Sequence, residues 1–131
     1  MVTRLFDHID LRVREMVPAK RFYSRLLPEI GFTVDSSGKE WCIFQAAGKG
    51  PVEFFGFTEA RDHQPNDNRL AFWAANRAEV DRLADVVRDA GGLNLEGPEP
   101  CREYSPGYYA LFFEDPSGNK LEICCRDSPS P

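Results

Sequence analysis

The chain has 131 residues, 42% of them hydrophobic and 28% charged, enough for one compact domain with a real core and too few for two ordinary ones. Sixteen Lys and Arg against 21 Asp and Glu leave a formal charge of −5, so the basic footprint that phosphate backbones require is missing and no nucleic acid is expected as a partner. No apolar run approaches the ~20 residues that span a bilayer, and the opening Met-Val-Thr-Arg-Leu-Phe-Asp-His is charged where a signal peptide is apolar, so the expectation is a cytoplasmic protein with no membrane partner.

The first element predicted is a strand over 5–13, where Ile9, Leu11 and Val13 alternate with His8, Asp10 and Arg12. A helix follows over 17–30, with Phe22, Leu26 and Ile30 on one stripe and Pro18 near its start, where a missing N–H costs nothing. Pro28 is expected to disturb its last turn, and Gly31 to stop it. Short strands are read at 32–34, 41–47 and 52–58. The polar stretch 59–68 reads as a linker and contains His63, a solvated loop histidine by composition.

The second half opens with a strand over 69–75 and a helix over Arg77–Ala90. Asn76 is its N-cap, Glu79 stands in the capping-box position, and Gly91-Gly92 ends it. A short strand at 93–95 and a Pro/Gly loop over 96–107 precede strands at Tyr108–Glu114 and Lys120–Arg126, joined by Asp115-Pro116-Ser117-Gly118-Asn119. The cysteines, Cys42, Cys101, Cys124 and Cys125, form no CxxC pair and read as reduced thiols acting as small core residues.

The halves repeat with an offset of 61, which lays His8 on Arg69 and Gly31 on Gly92, while Val52-Glu53-Phe54 answers Leu121-Glu122-Ile123. The fold class is therefore α+β: two βαβββ modules, about 4–58 and 69–126, forming a cupped mixed β-sheet with helices on its outer face, within a single domain spanning 1–131. Equivalent positions, His8 with Arg69 and Glu53 with Glu122, are expected to converge. Alternation assigns His8, Asp10, Glu53, Arg69, Trp73 and Glu122 to the concave face, with Phe55 as a further wall residue. Few polar groups amid aromatic rings describe a small-molecule pocket. The loop carrying Arg102, Tyr104 and Tyr108 is a candidate lid, and these three join Arg69, Trp73 and Phe55 as substrate-binding candidates.

Residues 4–126 resemble the vicinal oxygen chelate superfamily, which holds glyoxalase I, bleomycin-resistance proteins, fosfomycin-resistance enzymes and extradiol dioxygenases. The resemblance is carried by the run from Tyr108 to Ile123, above all its Asp-Pro-x-Gly-Asn-x-Leu-Glu core, and by Phe6-Asp7-His8-Ile9. It implies a homodimer, a small-molecule ligand and, in metalloenzyme members, one divalent metal (Zn, Ni, Fe or Mn) held from four converging positions. Those positions here are His8, Glu53, Arg69 and Glu122. His8, Glu53 and Glu122 would be the metal ligands and the two glutamates the catalytic residues. Arg69 departs from the pattern, because a guanidinium has no lone pair to offer. Two readings follow. One is a metal-assisted lyase, isomerase or dioxygenase on a substrate with vicinal oxygens. The other is a metal-free sequestration protein in which Arg69 replaces the metal and bridges the two glutamates.

Overall fold

A computed structural model describes residues 5–126. The elements are β1 (His8–Val13), α1 (Met16–Ile30), β2 (Val34–Asp35), β3 (Trp41–Gln45), β4 (Phe54–Glu59), β5 (Arg69–Trp73), α2 (Arg77–Ala90), β6 (Leu93–Pro100), β7 (Tyr108–Glu114) and β8 (Lys120–Arg126). The α+β class and the twofold βαβββ order are those read from the sequence. The chain divides into two compact units, Met1–His63 and Gln64–Pro131, with the boundary inside the polar stretch 59–68.

The first unit is a four-stranded sheet in the order β1-β4-β3-β2, with β1 parallel to β4 and the other pairs antiparallel. Helix α1 buries Ala19, Phe22, Tyr23, Leu26 and Leu27. Tyr23 meets Phe55 and Phe57 of β4 at ring-centroid distances of 5.2 and 4.8 Å. Pro18 lies in the first turn, whose N–H groups have no helical acceptor anyway. Pro28 does not end the helix: α1 runs on to Ile30, and Gly31, at φ 137°, closes it by donating to the Leu27 carbonyl. The helix has no side-chain cap from Glu15; the Met16 N–H is instead taken by Glu59 at 2.9 Å, from the end of β4. That bond holds the Glu59 carboxyl below its ordinary range.

The second unit repeats the order as β5-β8-β7-β6, with β5 parallel to β8. Helix α2 packs Val80, Leu83, Ala84 and Val87 against this sheet. Asn76 caps it, accepting from the Glu79 N–H at 2.9 Å, but only half of the expected capping box forms. The Glu79 carboxylate turns to Arg82 at 2.7 Å, because an arginine one turn on offers it a stronger partner than a neutral N–H. The C-cap is Gly91, in the left-handed region at φ 99°, one residue earlier than the offset of 61 suggests. β6 is longer than the sequence indicated: two register shifts let it follow β7 past Pro98.

The Asp115–Asn119 turn is built by one buried carboxylate. Asp115 accepts from the Ser117 and Asn119 N–H groups and from the Asn119 side chain, all within 3.0 Å, and Gly118 takes φ 89°. Pro65 packs over Gly118, and Asp67 pairs with Lys120 at 2.8 Å, so the second half of the polar stretch is pinned to this turn. All four cysteines are buried free thiols. Among the described residues no helix is long and apolar enough to cross a membrane.

Candidate functional site

Each unit has a sheet face not covered by its own helix, and His8, Asp10, Arg69, Trp73 and Glu122 fall on these faces. In the first unit the parallel register sets His8 beside Phe54, Asp10 beside Gly56 and Arg12 beside Thr58. Laterally paired residues project to the same side. His8 stacks on Phe54 with centroids 4.4 Å apart and rings 4° from parallel. Its Nδ1 is engaged by Asp7 at 2.7 Å. Asp10 accepts from Arg12 at 2.7 Å.

This register corrects two expectations. Glu53 does not pair beside His8: it precedes β4, with its carbonyl accepting from the Ala46 N–H, and Phe54 takes the place beside the imidazole. Phe55 is not a wall of the face: it is 0% exposed, under α1. The cause is the run Phe54-Phe55-Gly56-Phe57. Turning Phe55 and Phe57 inward buries two large rings against Tyr23, whereas the opposite phase would bury Phe54 and leave glycine at the next core place. Burial of a Phe side chain stabilises by ~1.5–3 kcal/mol, so the phase with two wins.

In the second unit Ala71 and Phe112 flank Glu122, and Trp73 and Ala110 flank Cys124. Glu122 is buried, 6% exposed, and Tyr108 donates its phenol to the Glu122 carboxylate. Burial, followed by that bond, pushes the Tyr108 phenol well above its ordinary value. Cys101, Ala110 and Cys124 form a small buried cluster under Tyr108 and Phe112. Burial raises both thiols, so neither is an activated thiolate. Arg69 lies with its guanidinium 4.7 Å from the centre of the Phe112 ring. Trp73 is 67% exposed and carries Arg126 at 4.8 Å, so it is not a core residue. In the candidate lid Tyr104 meets Tyr108 edge to face at 5.2 Å, and Arg102 is exposed.

The family model described as the Glyoxalase/Bleomycin resistance protein/Dioxygenase superfamily matches residues 5–123. The chain belongs to that superfamily. An uncharacterized protein of Bacillus subtilis (strain 168), YqjT, is 30% identical over 128 residues, covering 88% of this chain and 94% of its own. A glyoxalase/bleomycin resistance protein from Albidiferax ferrireducens T118 is similar in structure, with a TM-score of 0.73, 26% identity, and 93% and 98% of the two chains covered. A putative glyoxalase from Bacillus halodurans follows with 0.72, 26%, and 92% and 95%.

Members of this superfamily often use a divalent metal. In the second unit the donor set does not suit it. Arg69 is a fixed cation without a lone pair, and the Glu122 carboxylate already accepts from Tyr108. Within neither unit do three or more His, Cys, Asp or Glu side chains gather at metal-binding spacing among the described residues.

Phe112, Cys101, Asp7, Trp41 and Gly56 were not singled out from the sequence for these faces, whereas alternation along the last strand sets Cys124 on the side of Glu122. The period-two alternation of β7, which puts Tyr108, Ala110 and Phe112 on one side, was the signal available for Phe112.

Proposed function

We propose that this superfamily member is a small-molecule binding protein that works without metal chemistry, each unit holding ligand on its own uncovered sheet face, through His8 and Asp10 in one and through Arg69, Trp73 and Tyr108 in the other. The observation that carries the reading is in the second unit. Arg69 occupies a position that the resemblance assigns to a metal ligand, and it rests on Phe112. Glu122, a second such position, has its charge engaged by Tyr108. A cation placed over a ring and a carboxylate tied to a phenol form a preorganised polar surface, suited to orienting an aromatic or anionic ligand. Arg102 and Tyr104 would close over it. We further infer a cytoplasmic homodimer, to be checked by light scattering on the purified protein.

A second reading keeps the metal, with His8, Glu53 and Glu122 as ligands of a lyase, isomerase or dioxygenase. One observation favours it: Asp7 holds the His8 Nδ1, the arrangement that orients metal-bound histidines through the other nitrogen.

Metal analysis of the purified protein, followed by calorimetric titration with Mn²⁺, Ni²⁺ and Zn²⁺, separates the two. The binding reading expects no stoichiometric uptake. It also expects compounds that raise the melting temperature of the parent and lose that effect in Trp73→Ala or Tyr104→Ala. One equivalent of metal, lost in His8→Ala and in Glu122→Gln, overturns it in favour of the enzyme.

A further inference from the structure

The uncovered face of the first unit contains a hollow of about 290 Å³, close to the lower end of the ~300–1,000 Å³ typical of ligand pockets. Its cause is one residue. Gly56 pairs with Asp10 on one side and Ile43 on the other, in the middle of the face, so the row there lacks a central side chain. At one end stand His8 and Phe54, stacked. At the other stand Thr58 and Trp41, and Trp41 is half exposed. Asp10 is the one carboxylate among the lining residues, which hold no Lys or Arg. Arg12 takes its Oδ1, and Oδ2 carries no hydrogen bond among the described residues.

We infer that this glycine-floored hollow binds a planar aromatic cation, one ring system in size, whose N–H donors meet Asp10 and whose ring lies against Trp41 and the edge of the His8–Phe54 stack. This deepens the binding reading proposed above and rests on it. The argument is chemical. A hollow with aromatic ends and a backbone floor favours a flat ring over a branched chain. The Asp10 carboxylate, held from one side by Arg12 at 2.7 Å, takes a donor with N–H groups on its other oxygen through a charge-assisted hydrogen bond. A tryptophan face adds attraction for positive charge.

The probe is benzamidine, a rigid planar cation with paired N–H donors; benzoate, the same ring with the opposite charge, is the control. The chain has two tryptophans, Trp41 and Trp73. Labelled with 5-fluorotryptophan, it gives two ¹⁹F resonances, assigned with Trp73→Phe. Benzamidine is expected to move the Trp41 signal saturably and leave the Trp73 signal in place, and benzoate to move neither. Asp10→Asn should weaken binding at least tenfold. Gly56→Val should abolish it, since the added side chain fills the floor; the backbone there is ordinary, and a Cβ would meet nothing closer than the Cys42 carbonyl at 3.4 Å. Should Gly56→Val fail to fold, Asp10→Asn, an exposed position, decides. The inference is overturned if Trp41 does not respond, if benzoate binds as well as benzamidine, or if Asp10→Asn binds like the parent. Metal uptake by the parent protein would overturn the broader reading instead, and compounds that depend on Trp73, with Trp41 silent, would overturn the hollow alone.

Discussion

Replacing Tyr108 with Phe removes one oxygen and leaves the ring, so its effect isolates the phenol that donates to Glu122. Glu122 is 6% exposed, so water cannot simply replace the lost donor. A hydrogen bond to a charged group contributes ~1.5–3 kcal/mol, and the upper part of that range applies where a buried acceptor is left without its partner. The expected loss is therefore about 2–3 kcal/mol. With a urea m-value of about 2 kcal/mol/M for a chain of this size, the midpoint should fall by roughly 1–1.5 M. Tyr109→Phe on the same strand is the internal control. Its phenol bonds Asp81, a surface carboxylate, at 2.7 Å, and its loss should cost under about 1 kcal/mol. Adding Glu122→Gln to Tyr108→Phe should recover part of the loss, because the uncompensated charge is gone. Urea unfolding of the parent and these three variants measures all of this. A Tyr108→Phe cost below about 0.5 kcal/mol, or one no larger than that of Tyr109→Phe, would refute the claim that the phenol holds a buried charge.

The face assignment of β4 makes Phe55→Ala cost ~3–5 kcal/mol, as for a large buried ring, and Phe54→Ala only about 1–2 kcal/mol, and the reverse order in urea unfolding would put the strand in the other phase. Asn76→Ala should lower stability by ~1 kcal/mol through the lost cap, with unfolding cooperativity unchanged. The raised Tyr108 phenol contributes stability that is full below pH ~10, where the unfolded chain keeps its proton, and that fades as pH climbs above it, since there the unfolded state ionises first. Unfolding measured at pH 9 and 10.5 should therefore show a smaller alkaline loss in Tyr108→Phe than in the parent, and equal losses would remove the pH argument.

The parts of this fold that were legible in the sequence are those fixed by local chemistry. Helix α2 ends where Asn76 and Gly91 say it must, and β7 and β8 are bounded by the Asp115–Asn119 turn, whose carboxylate and glycine determine its shape. Glu122 fell on the expected face because this turn sets the register of its strand. Glu53 and Phe55 were misplaced because β4 has no such turn before it. Four hydrophobic or small residues in succession leave the phase of a strand open, and the choice is made by Tyr23, more than 30 residues away. Arg69 was visible as a departure from the ligand pattern, but not the ring it would rest on, since Phe112 comes to it through β8, across two strand pairings.

The two registers explain how a repeat in sequence becomes a division of roles. In the second unit Arg69 pairs with Lys120, which sets Glu122 beside Ala71. In the first unit His8, the counterpart of Arg69, pairs with Phe54, which sets Gly56 beside Asp10. Gly56, not Glu53, is thus the counterpart of Glu122 in the ladder, and Asp10 that of Ala71. At the same rung one unit holds a buried carboxylate flanked by a small residue, and the other holds empty space flanked by a carboxylate. A metal site made from repeated glutamates needs the same side chain at both rungs. The ladder instead supplies a carboxylate hydrogen-bonded to a phenol in one unit and a vacant place beside an arginine-paired carboxylate in the other, so the repeat does not carry the same donor at both rungs.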